Sequence, residues 1–194
     1  RDLLNAPPAE LDQPQVAITF DDGHESNFAA FGEILRMGGS ADFFINPSSV
    51  GTQGHLSWAQ LREMDRQGAS IQSHGMHHLS LDELPAAQVD AELADSRKHI
   101  EDELGRPVVL FAPPYGRMAP GLGLRARELG YRALCTSRVA LWRDGHATDI
   151  PRFAVRAGTS NASMAAWLER SPWMLGVARA RYLAVGAGKR MLGR

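Results

Sequence analysis

Val16-Ala17-Ile18-Thr19-Phe20-Asp21-Asp22-Gly23 is the stretch whose reading decides the fold. Five residues rich in β-branched and aromatic side chains run into two carboxylates and a glycine, which reads as a short strand ending at a polar turn. The same theme recurs downstream. Ser26 to Met37 carries Phe28, Phe31, Ile34 and Leu35 at helical spacing, and Gly38-Gly39 stops it. Ala41 to Ile45 is a second strand. Leu56 to Gln67 is a helix capped by Ser57 and closed by Gly68. Ala69 to Ser73 is a third strand, and Pro85 to Leu104 is the longest helix, with Val89, Leu93, Ile100 and Leu104 on one face. Val108 to Ala112, Arg132 to Thr136 and Ile150 to Val155 follow as strands, with a helix over Gly121 to Leu129. Strands alternating with helices of this length predict an α/β fold of βα units, a parallel sheet or barrel.

The bulk properties set limits. A chain of 194 residues with 44% hydrophobic and 22% charged content suits one globular domain. With 21 basic and 22 acidic residues the net charge is −1, so there is no basic stripe of the kind nucleic acid demands. The single cysteine, Cys135, rules out an internal disulfide and a multi-cysteine zinc site. The sequence shows neither a signal peptide nor an apolar run long enough to span a bilayer, and it leaves the compartment open.

Three regions are expected. Residues 1–14 read as a leader over the surface, 15–162 as the βα domain, and 163–194 as a helical, basic tail. That tail sets Trp167, Trp173, Met174, Leu175, Tyr182 and Leu183 among Arg170, Arg179, Arg181, Lys189, Arg190 and Arg194. We expect a closing helix packed on the domain; the alternative is an amphipathic basic helix on an anionic membrane or partner.

Chemistry-bearing residues stand where strands end, which is where parallel α/β folds assemble their sites. Asp21 and Asp22 follow the first strand. Two adjacent carboxylates repel, and burying both is costly without a cation. In an extended segment their side chains diverge, so one can ligate a metal while the other faces a reacting water. His74 and His78 follow the third strand, four residues apart, a spacing that sets both imidazoles on one side of a helical turn. Two histidines and one carboxylate suit a divalent metal and leave coordination positions open. His77 competes with His78 as second ligand. After the fourth strand, Pro113-Pro114 removes two donors, so the amide of Tyr115 is the first placed to point into a site. Each motif alone also reads as an ordinary polar turn; their coincidence at strand ends favours a metal site.

Thr19-Phe20-Asp21-Asp22-Gly23, then Ser73-His74 with His78, then Phe111 with Pro114-Tyr115-Gly116, resembles the NodB-homology polysaccharide deacetylases of carbohydrate esterase family 4. The likeness runs from about Val16 to Val155. It implies a distorted (β/α) barrel of about six to seven parallel strands, and a divalent metal, Zn²⁺ foremost, with Co²⁺, Ni²⁺ or Fe²⁺ as alternatives. The activity it implies is removal of N-acetyl groups from an acetylated glycan of the N-acetylglucosamine type. Carried over by position, Asp21 matches the catalytic base, and Asp22, His74 and His78 the metal ligands. Tyr115 matches the backbone oxyanion donor, and Pro113, Tyr115 and Trp142 are expected at the substrate.

Two departures from that pattern matter. Ala112 stands where the family places an arginine beside the base; Arg138, Arg152 and Arg156 are the candidates for its role. The late Leu-x-His motif that supplies the family's general acid has no counterpart, since no histidine follows His146. His24 is the first candidate acid, ahead of His77 and His146. These departures leave two alternatives: a carbohydrate-binding protein that keeps the metal cleft without turnover, and an O-acetyl esterase, whose leaving group needs less acid assistance.

Overall fold

Phe43, Phe44 and Ile45 have no exposed surface at all, so the second strand is covered on both faces, as the strands of a parallel sheet are. The structure, a computed structural model, describes residues 16–142 and 148–191, with 185–191 by backbone alone. It contains β1 (Thr19–Phe20), α1 (Ser26–Arg36), β2 (Asp42–Ile45), α2 (Trp58–Arg66), β3 (Ser70–Ser73) and α3 (Ala86–Leu104). There follow β4 (Leu110–Phe111), α4 (Leu122–Glu128), β5 (Ala133–Thr136), β6 (Asp149–Pro151), α5 (Asn161–Leu168) and α6 (Pro172–Met191).

The six strands lie in one sheet in chain order, β1-β2-β3-β4-β5-β6. The pairs from β1 to β5 are parallel, with Phe20 beside Phe43, Ile45 beside Ser73 and Ser73 beside Phe111. This curled sheet, each strand followed by a helix or turn, is the distorted (β/α) barrel expected, at the lower end of the expected strand number. Its core joins Phe31, Phe43, Ile45, Leu61, Met64, Leu93, Ile100, Phe111 and Leu134. Ser57 caps α2 as anticipated, in a full capping box with Gln60. Gly105 ends α3 in the left-handed conformation.

Some strands are shorter than their apolar runs. β1 stops at Phe20 because the chain leaves extended backbone at Asp22. β4 covers only two residues: the amides of Val109 and Leu110 both donate to the Gln72 side-chain oxygen, 2.9 and 2.8 Å, and Pro113-Pro114 follow without donors. β6 ends at Pro151 rather than Val155.

By contacts the chain forms two compact units, one of residues 17–135 with 148–149, the other holding residues 136–142 and 150–191. In the second unit the tail is two helices rather than one. α5 starts at Asn161, where Ser160 accepts from the Ser163 amide, and the chain turns at Arg170 (φ 57) before Pro172 opens α6. Among the described residues no helix is long and apolar enough to cross a membrane. The leader, 1–14, lies outside the described residues.

Candidate metal centre

The end of β1 supplies the carboxylates. Asp22 and Gly23 both adopt left-handed backbone, φ 70 and 67, so the pair Asp21–Asp22 is parted by a sharp turn. The extended segment expected here is therefore replaced by a kink, and a left-handed aspartate is a strained choice that neighbouring structure must hold. The hold is visible: the Gly23 carbonyl accepts from Leu56 N at 2.9 Å, and Glu25 N donates to Gly54 O at 2.8 Å. A side chain on Gly23 would press against Ile45, 3.2 Å from its Cγ2.

The end of β3 supplies the imidazoles. His74 N donates to Ile45 O at 2.9 Å, continuing the sheet one residue past the strand. Beyond it the chain bends instead of forming the helical turn expected from the four-residue spacing. Gly75 and His78 take φ 82 and 56, and these two reversals bring the rings together. Buried Asn46 pins the bend, its amide donating to His74 O at 2.5 Å and Gly75 O at 3.0 Å. Glu92, on α3, pins the far side: it accepts from His77 N at 2.9 Å and meets His77 Nδ1 at 2.6 Å. His77 is therefore engaged by Glu92, and it is His78 that comes together with His74 and Asp22.

Asp22 Oδ1 lies 3.2 Å from His74 Nε2 and 3.1 Å from His78 Nε2. All three donor atoms fall within 4.8 Å of one another. His74 Nδ1 sits 2.6 Å from the Ala112 carbonyl, which can only accept, so Nδ1 carries the proton. Its Nε2 then meets the carboxylate either as part of an imidazolium or as a lone pair. The contact with His74 is the main influence holding the Asp22 carboxyl below its ordinary range; burial opposes it, and the charges of His74, His78 and His55 reinforce it. His78 is pushed below its ordinary range by burial first and then by His74, against Asp22 and Asp21. A neutral imidazole facing an anionic carboxylate leaves electron pairs turned toward one point. A cation there satisfies all three, and a histidine ring oriented by a backbone carbonyl is the usual support of a metal ligand. The residues present fit a divalent metal.

The end of β4 closes the site from the side. Tyr115 is left-handed (φ 58), and its ring packs edge-on to His78 with centroids 4.6 Å apart. The amides of Gly116 and Arg117 turn back to the carbonyls of Pro113 and Pro114. Pro113 is buried, whereas Tyr115 is exposed.

His24 is exposed, its Nδ1 taken up by the Ser26 hydroxyl at 2.9 Å and the Ser26 amide at 3.2 Å. It bridges antiparallel to His55. Trp142, Arg138, Arg152 and Arg156 belong to the second unit. The Trp142 indole N–H there is buried with no hydrogen-bond partner among the described residues. His146 lies outside the described residues. Three residues near the site escaped the sequence reading: Asn46, Glu92 as the partner of His77, and His55, whose charge reaches Asp22. A buried asparagine directly after a strand was the one available signal; the other two depend on contacts far apart in the chain.

The chain matches the family model described as Polysaccharide deacetylase over residues 9–134. YxkH of Bacillus subtilis (strain 168), a protein placed provisionally among polysaccharide deacetylases, is 32% identical over 156 residues, 79% of this chain and 56% of that one. Among solved structures, IcaB from Ammonifex degensii superposes with a TM-score of 0.70 at 25% identity, over 89% of this chain and 77% of that one. Streptococcus pyogenes deacetylase PplD, solved in complex with acetate, superposes at 0.71 with 21% identity, over 81% and 72%. The chain spans about half the length of the curated relatives that head the comparison.

Proposed function

This chain belongs to the polysaccharide deacetylase family, and we propose that it is a divalent-metal-dependent hydrolase removing N-acetyl groups from an acetylated glycan of the N-acetylglucosamine type. The observation that carries the proposal is the meeting of His74 Nε2 and His78 Nε2 on one oxygen of Asp22, next to Asp21, whose charge also reaches His78. Asp22, His74 and His78 hold the metal, and two nitrogens with one oxygen suit Zn²⁺ while admitting Co²⁺, Ni²⁺ or Fe²⁺. When bound, such an ion supplies polarisation of the acetyl carbonyl and a lowered pKa for water.

The chain's own groups do the rest. Asp21 takes the proton of the attacking water. The Tyr115 amide donates to the oxygen that gains negative charge, and Pro113 and the Tyr115 ring shape the pocket for the acetyl methyl. As the carbon–nitrogen bond breaks, the leaving amine takes a proton, with exposed His24, held at Nδ1 by the hydroxyl and amide of Ser26, as the group assigned to give it.

Hydrolysis of O-acetyl esters by the same residues is the second reading. It is favoured by the acid's resting on an exposed histidine, since an alkoxide leaves with less protonation than an amine. Acetate release from N-acetylglucosamine oligomers and from acetylated xylan, measured side by side with and without chelator, separates the two. Release from the amide substrate that chelation abolishes supports the first reading; release from the ester alone supports the second.

A further inference from the structure

The helical pair at the end of the chain has a charge balance unlike the rest. Residues 170–194 hold six of the 21 basic residues, Arg170, Arg179, Arg181, Lys189, Arg190 and Arg194, and none of the 22 acidic ones. α5 carries no charge at all. These helices also leave large apolar groups in solvent: Trp173 is 77% exposed, Leu183 59% and Leu168 53%. At 100° per residue, Trp173, Gly176, Ala180, Leu183 and Ala184 share one side of α6, with Arg179 and Arg181 on its flanks. Met174, Leu175 and Ala178, on the opposite side, are each half-buried; Val177, beside Ala184 at the edge of the stripe, is half-buried too, and Tyr182 on the opposite side is 38% exposed. The helix is therefore packed chiefly through Met174, Leu175 and Ala178, and it leaves an apolar, cation-flanked stripe about Trp173 and Leu183 unpartnered among the described residues.

We infer that this side of α6 lies on an anionic lipid surface, Trp173 and Leu183 entering the headgroup boundary and the arginines pairing with lipid phosphates. Nucleic acid would use the cations but gives no place to an exposed leucine and tryptophan on the same stripe. A neutral bilayer would accept the tryptophan but leave the flanking Arg179 and Arg181 without anionic partners. The combination of both features on one helix fits an interfacial helix, which lies in the membrane plane without crossing it. Such a helix would hold the deacetylase domain where membrane-associated or envelope glycans are met; that last step rests on the proposed function, whereas the lipid contact does not.

The test is flotation of the full 194-residue chain with vesicles of phosphatidylglycerol and phosphatidylcholine, against vesicles of phosphatidylcholine alone. Binding to the anionic vesicles is expected, falling at least about tenfold with Arg179→Glu/Arg181→Glu and by a similar factor with Trp173→Ala/Leu183→Ala. Circular dichroism confirms that each variant is folded. No binding to anionic vesicles, equal binding to both vesicle types, or binding unaffected by the apolar double variant overturns the inference. So does a dimer in solution that Trp173→Asp converts to monomer, because the stripe would then be a contact between copies. None of these results depends on acetate release, so failure here leaves the proposed function standing.

Discussion

Glu92 holds His77 by two atoms at once, the backbone amide at 2.9 Å and ring Nδ1 at 2.6 Å, from a side chain that is itself buried. His77 lies between His74 and His78, so the carboxylate fixes the bend that makes their rings converge. Its Oε2 would also lie 3.1 Å from a side chain placed on Gly75, a residue already at φ 82. Glu92→Ala should weaken metal binding about tenfold, by analogy with groups that orient ligands from behind, and Glu92→Gln, which keeps one acceptor, should recover part of it. Competition with a chromogenic chelator measures this; an unchanged metal Kd in the alanine variant would contradict the role given to Glu92.

The ligand set makes a sharper forecast. Asp22→Ala and His78→Ala should each remove stoichiometric metal, read by elemental analysis after gel filtration. Neither should unfold the chain, because Asp22 is exposed and His78 only part-buried. Saturating metal should raise the Tm of the parent chain and leave both variants unmoved, as expected when a ligand binds only the folded state.

Asp21 should separate binding from chemistry. Asp21→Asn is expected to retain metal while losing about 10²- to 10⁴-fold in acetate release, the range of a general base. Glycan binding with no turnover in the parent chain itself would instead indicate a protein that keeps the cleft without the reaction.

Tyr131 predicts a pH effect away from the metal. Burial pushes its hydroxyl up to about 12 from 10.0, while it donates to Leu93 O at 2.8 Å. A raised folded pKa means that the stabilisation is complete below pH 10 and is lost as pH climbs toward 12. The full effect is about 2–3 kcal/mol. Between pH 9 and 11, urea unfolding should show the parent chain losing about 1 kcal/mol more than Tyr131→Phe. Parallel losses in both proteins would contradict this.

The barrel rhythm was legible because buried parallel strands leave unmistakable runs such as Asp42–Ile45, and because glycine and serine mark helix ends with a physical cause. The site was legible as residue types at strand ends, and Asp22, His74 and His78 do meet. How they meet was not. The spacing of His74 and His78 suggested a helical turn, but the rings converge through left-handed residues held by Asn46 and Glu92, partners 28 and 15 positions away. Strand length was misjudged at β4 for a similar reason, since a side chain, Gln72, takes the amides that a neighbouring strand would have bonded. The one tail helix became two because the turn at Arg170 is set by backbone conformation that no periodicity reveals.

The most direct test is a titration of Zn²⁺ into the chelator-stripped chain with acetate release from N-acetylglucosamine oligomers followed in the same samples. One ion per chain should restore release in proportion to occupancy, and the Asp22→Ala/His74→Ala/His78→Ala triple variant should show neither binding nor release. Acetate release that persists in the stripped chain, or in that triple variant, would contradict a reaction built on these three ligands.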